Sequence, residues 1–268
     1  MDVKTKNSKK AMSLLANFLR NKTLKMPGFN KGLEKRVKNL LLPDDIGAAD
    51  DPGIFPLTSN DKVQHEALEA YIALYKSIMD LSGYQHYFRR FPFKEKDVSK
   101  ADYIRMTCEN YLSAFYVVKM RLRNYLDRMK KVGCISNKSV GLIIKNFNQR
   151  FYYELKERNF KHHSHDFNTE NIARLSMLEL LGHAWEETTE LFDSEHRREF
   201  KRYMRHWYGR VVLRSQHVSE YLDIASQILI APTSFIHAKN GFECQGMVNI
   251  NISDEANNCV SNSLSNGG

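Results

Sequence analysis

Along most of this chain apolar side chains recur at alternating steps of three and four, the spacing that gathers them on one face of an α-helix. The longest run is Ile104, Cys108, Tyr111, Phe115, Val118, Leu122, Tyr125 and Met129, unbroken between about Ser99 and Lys131. So regular a seam predicts a helix lying nearly parallel or antiparallel to a neighbour. Lys119, Arg121, Arg123, Asp127, Arg128 and Lys130 form its solvated side, and Gly133 stops it.

A helix capped by Asn60 or Asp61 precedes it, with Val63, Ala67, Ala70, Leu74, Ile78 and Leu81 as its stripe. Ser82-Gly83 is the expected end of that helix. Past Gly133, a helix from about Asn137 or Ser139 carries Val140, Ile144, Phe147, Phe151 and Leu155 on one face. Asn168 or Thr169 then caps a helix striped by Ile172, Leu175, Leu178, Leu181 and Trp185. Asp193-Ser194 reads as the cap of a last long helix to about Ile230, bent at Gly209. Its seam runs Phe200, Met204, Trp207, Val211, Arg214, Val218, Tyr221, Ala225 and Ile228.

Strand-like alternation of useful length is missing before residue 231, and residues 246–252 predict one edge strand at most. The ends are of a different kind. Residues 8–21 form a short amphipathic helix through Met12, Leu15 and Leu19, and residues 30–41 a second through Leu33, Val37, Leu40 and Leu41. Three prolines, two glycines and five aspartates in residues 42–61 mark a linker. The expected fold is all-α: an antiparallel helical bundle over 62–231, a basic helical arm over 1–42, a linker over 43–61, and a polar, largely irregular tail over 232–268.

Charge sharpens that division. The arm holds eleven Lys or Arg against Asp2 and Glu34, while the remaining 226 residues balance 29 bases with 29 acids. A basic amphipathic arm either meets nucleic acid or a membrane surface, or docks its apolar face on the bundle and leaves its lysines in water. With 42% hydrophobic and 26% charged residues the chain has an ordinary globular composition. No apolar run approaches the roughly 18 residues of a membrane span, and the first residues lack a secretory apolar block, so a cytoplasmic location is expected. Cys108, Cys134, Cys244 and Cys259 form no C-x-x-C pair, which removes zinc ribbons and thioredoxin-like chemistry.

The candidate chemistry lies where the helix through Phe151 and Leu155 runs out. Extending its apolar face leads to Arg158 and then His162, inside the segment Arg158-Asn159-Phe160-Lys161-His162-His163-Ser164-His165-Asp166. A charge on a core-facing position calls for a partner. Arg158-Asn159 followed by His163 resembles the R-x(4–6)-H motif of the HEPN superfamily (higher eukaryotes and prokaryotes nucleotide-binding domains). His163 fits with four intervening residues and His165 with six, whereas His162 leaves three and falls outside it. The resemblance covers about residues 62–230.

That resemblance implies a helical bundle, a homodimer with two Arg–His pairs facing one cleft, and a metal-independent endoribonuclease that needs no cofactor. It equally allows a non-catalytic relative that only binds RNA or nucleotide, and for an active member it implies a toxin or defence component with RNA as substrate and an antitoxin partner such as a minimal nucleotidyltransferase. Arg158 would stabilise the phosphorane, His163 would serve as general acid or base, and Asn159 would position, with His165 and Arg214 as additional candidates. The chemistry suits the residue types: imidazole titrates near neutrality, and a guanidinium offers a forked, permanent cation.

The rival expectation is a non-enzymatic helical module that binds RNA or protein through the basic arm. His162, His163, His165 and Asp166 are metal-capable, but a single short loop without a distant ligand is a poor site, and no metal is expected. Arg198, Lys201, Arg202 and Arg205 make a basic stripe on the last helix, and residues 84–93 interleave aromatics with Arg89 and Arg90. Each is a candidate phosphate or base contact, set against a solvated face or a packed loop. Arg214, on the seam, pairs either with a buried acid or shares a cleft with Arg158.

Overall fold

The computed structural model describes residues 5–24, 59–93, 98–163, 169–184 and 189–237. Among these the elements are α1 (Lys6–Leu24), α2 (Ser59–Tyr87), α3 (Lys100–Lys131), α4 (Asn137–Arg150), α5 (Tyr152–His163), α6 (Glu170–Ala184) and α7 (Thr189–Ile230), closed by a 3-10 turn at Phe235–His237. The fold is all-α, and no strand occurs among the described residues.

Local chemistry sets α3. The Ser99 hydroxyl accepts from the Asp102 amide at 2.9 Å, capping the first turn. Asp102 at the start and Arg128, Lys130 and Lys131 at the end complement the helix dipole. Gly133 takes a φ of 83°, which a side chain would resist, and the chain reverses there.

All eight residues of the seam are fully buried, and Ala101, Tyr103, Thr107, Leu112 and Leu126 are buried beside them. The buried face is wider than a two-helix seam because α3 is central: α2, α4, α5, α6 and α7 all pack on it. Each large apolar side chain so enclosed contributes roughly 1.5–3 kcal/mol. Neighbour directions follow from paired rings. Tyr71 meets Tyr125 and Tyr84 meets Tyr111, so α2 runs antiparallel to α3. Trp207 meets Tyr111 and the Ala225 carbonyl accepts from the Tyr125 hydroxyl at 2.7 Å, so α7 runs parallel to it. The Tyr71 and Tyr125 hydroxyls inside this core are both bonded, as desolvation favours. Tyr71 shares a 2.9 Å bond with Ser226, and burial pushes its pKa up to about 12.

Three boundaries differ from the sequence reading. Ser82-Gly83 does not end α2, which continues to Tyr87. The Ser82 hydroxyl bonds back to the Met79 carbonyl, nothing crowds Gly83, and the extra turn seats Tyr84 on Tyr111. Just past its end Phe88 stacks on Trp207. Packing outweighs the local stop signal. The last helix begins at Thr189, a turn before Asp193-Ser194, and the Ser194 hydroxyl bonds the Leu191 carbonyl from inside it. Finally, Phe151 (φ −114°, ψ 28°) separates α4 from α5, its ring packed on Phe115 and Phe147.

The start of the arm is joined to the bundle. Ala11 and Leu15 are buried as α1 packs on α7, Asn7 donates to Asp223 at 3.0 Å, and Phe18 meets Phe235 edge-on. Lys6, Lys9 and Lys10 face outward. The helix expected at 30–41, the linker at 43–58, and the tail beyond residue 237 with its expected edge strand lie outside the described residues. Among the described residues no helix is long and apolar enough to cross a membrane.

Candidate functional site

Leu155, Phe151 and Phe147 fix the face on which α4 and α5 meet the bundle, and the next turn of that face carries charge. Glu154 has no exposed side-chain surface. Its Oε1 accepts from Arg214 Nε at 2.6 Å and from Arg210 Nη2 at 3.3 Å, while Oε2 has no hydrogen-bond partner. Arg210 also forks onto both oxygens of Glu157, at 3.2 and 2.9 Å, and lies over the Trp207 ring at 4.7 Å. Burial would lower the Arg210 pKa, but Glu157 and Glu154 together raise it. Two acids meet two arginines, so the cluster is neutral. Each member depends on the others, because a buried ion without its partner is costly.

The Tyr111 hydroxyl is buried against this cluster with no hydrogen-bond partner. Desolvation first, and the Glu154 charge second, hold its pKa far above the usual phenol value. His217, one turn beyond Arg214, has its pKa lowered by burial and then by the charges of Arg150 and Arg214.

Arg158 lies outside the neutral group. Its guanidinium sits 3.9 Å from the Tyr116 ring centroid, its Nη1 donates to Asn159 Oδ1 at 3.4 Å, and its Nε is buried with no hydrogen-bond partner. No carboxylate among the described residues pairs with it. A ring face holds a guanidinium in place without cancelling its charge. Asn159 is exposed beside it.

The sequence candidates therefore separate. Arg158 and Asn159 are together at the end of α5. The backbone of His163 closes that helix, but its side chain is outside the described residues, as is all of His165. Arg214 resolves to the buried-acid alternative through Glu154. Among the described residues no three His, Cys, Asp or Glu side chains gather as a metal site. Sequence reasoning passed over Glu154, Glu157 and Arg210. The signal was legible as Glu154 and Glu157, three apart, facing Arg210 and Arg214, four apart, on two core-facing stripes.

A second site is assembled from two segments the sequence flagged separately. Phe88, Phe91, Phe200, Met204 and Tyr208 floor a cleft of about 590 Å³ between the end of α2 and the first half of α7. The basic stripe of α7 divides at this cleft. Arg198 and Arg202 turn away and pair with Glu195 and Glu199 at 2.8 and 2.7 Å. Lys201 and Arg205 line the cleft instead, with Arg197.

No family model matches this chain, and neither a curated protein nor a solved structure does. The all-helical bundle and its two basic sites are thus the ground for any functional reading.

Proposed function

We propose that the protein is a metal-independent endoribonuclease acting at the end of α5. The observation that carries this reading is the state of Arg158: a guanidinium held on a tyrosine face, free of any described carboxylate, within one helical turn or so of His163. Arg210 and Arg214, which face Glu154, are neutralised, whereas Arg158 keeps its charge for a phosphate.

In this reading the ribose 2′-oxygen attacks the adjacent phosphorus while a neutral His163 takes its proton. The bond to the 5′-oxygen breaks as a protonated imidazole delivers a proton to it. Arg158 stabilises the charge that builds on the phosphorane oxygens, and Asn159 orients it. The second imidazole, the acid, comes in this reading from a second copy of the site, which a two-fold dimer supplies. Tyr152, Tyr153 and Phe160 support such a mate, since these large side chains are exposed on the same helix.

The test is incubation of the full chain with a pool of RNA in EDTA. We expect cuts that leave 2′,3′-cyclic phosphate ends, and Arg158→Ala and His163→Ala each slowing them by about a hundredfold or more. RNA that stays intact, or variants that cut as fast as the parent, would contradict the reading.

A further inference from the structure

We infer that the cleft between the end of α2 and the first half of α7 grips single-stranded nucleic acid, as a site separate from Arg158. Arg89, Arg90, Lys100, Arg197, Lys201 and Arg205 line it, and no Asp or Glu among the described residues does. Six cations converging with no described carboxylate among them repel one another, and a polyanion relieves that repulsion. The floor narrows the class of polyanion. Phe91 meets Phe200 edge-on, Arg89 lies 5.7 Å over the Tyr208 ring, and Lys100 lies 5.7 Å over Phe200.

Phe88 and Phe200 are buried, so the half-buried Phe91 and Tyr208 rings, with cations beside them, are the surfaces against which a base can lie while its phosphates reach the rim. A cleft of about 590 Å³ has room for a base with its flanking phosphates. A duplex hides its base faces, so the cleft suits an unpaired strand. Nothing in the cleft selects for a 2′-hydroxyl, because both the cations and the rings meet groups that RNA and DNA share. The cleft therefore holds single-stranded DNA as well as RNA. This names the gripping surface for the proposed nuclease, and it rests on that reading only for the strand that is cut.

The experiment is fluorescence anisotropy with a labelled single-stranded DNA oligonucleotide, which a 2′-hydroxyl-dependent nuclease leaves intact, titrated with the full chain over a range of salt. The parent should bind. Lys201→Gln/Arg205→Gln should weaken binding at least about tenfold and reduce the slope of log K on log salt by about 1.4, which is 0.7 for each lost phosphate contact on a single strand. Arg198→Gln/Arg202→Gln removes the same charge from the acid-paired side of the same helix and should change binding less than about threefold. Equal losses in the two double variants would mean diffuse attraction to a basic protein and would overturn the inference, as would a parent that does not bind. The nuclease reading fails independently: a parent that binds through the cleft but never cuts RNA keeps this inference and ends that one. A parent that cuts RNA while the cleft variant binds unchanged does the reverse.

Discussion

Arg210 and Arg214 are only about two and a half turns along α7 from Lys201 and Arg205, yet the two pairs meet opposite surroundings. The first pair is closed in by Glu154 and Glu157 and sums to neutrality. The second opens onto a cleft with aromatic walls and, among the described residues, no lining acid. Identical residue chemistry on one helix thus serves cohesion in one place and is left available in another. What decides is whether a carboxylate from α5 reaches across. Arg158 belongs to α5 itself, beside the acids that neutralise its neighbours, and shares the unpaired state of the cleft.

The largest way to break this contrast is Glu154→Ala. With that carboxylate gone, Arg214 loses its acid and Arg210 keeps only Glu157, so stability should fall by about 3–5 kcal/mol in urea unfolding. Glu154→Met combined with Arg214→Met should cost about 1 kcal/mol or less, because no buried ion is stranded. A double variant as damaged as the single one would show that shape rather than charge holds the cluster.

Arg158→Ala is the sharper, smaller change. Removing a cation from the Tyr116 face should cost about 1 kcal/mol of stability, since a partly buried cation–π contact is worth roughly 0.5–2 kcal/mol. RNA cleavage should nevertheless be lost. A loss of several kcal/mol in the melting curve would instead mark Arg158 as a structural residue.

The gentlest lever is pH. Burial and the Arg150 and Arg214 charges hold the His217 pKa below its ordinary value of 6.5. On acidification the unfolded chain therefore takes up this proton before the folded one does. Stability from this group is present above about pH 6.5 and drains away as pH falls from there toward the folded pKa. His217→Gln should flatten the acid limb of the stability profile. An unchanged limb would assign the acid response to other groups.

Much of the scaffold could be read from spacing. The seam from Ile104 to Met129 is buried throughout, and α3, α6 and the bulk of α7 lie where their periodicity puts them, because burial on one face is a local pattern with a fixed period. Boundaries fared worse where distant contacts decide. Ser82-Gly83 is a stop signal in isolation, but Tyr84 and Phe88 gain rings to pack on by passing it. Phe151 keeps the face of its helix yet interrupts its hydrogen bonding, a break that hydrophobic spacing does not encode.

Half of the site chemistry was equally visible. Arg158 stands out as a charge continuing an apolar face, and Asn159 as the polar residue that follows it. The basic stripe of α7 was legible too, but its division was not. Arg198 and Arg202 differ from Lys201 and Arg205 only in which way the helix turns them, toward Glu195 and Glu199 or toward Phe91. That distinction exists only once α2 and α7 are packed.

The most direct test of the central claim uses a pool of single-stranded DNA oligonucleotides, each carrying one ribonucleotide at a known position, incubated with the full chain in EDTA. Arg158 and His163 acting on a 2′-hydroxyl predict cuts only immediately 3′ of the ribonucleotide, ending in a 2′,3′-cyclic phosphate and absent with His163→Ala. Cuts at deoxyribose positions, or a pool that is bound and never cut, would contradict it.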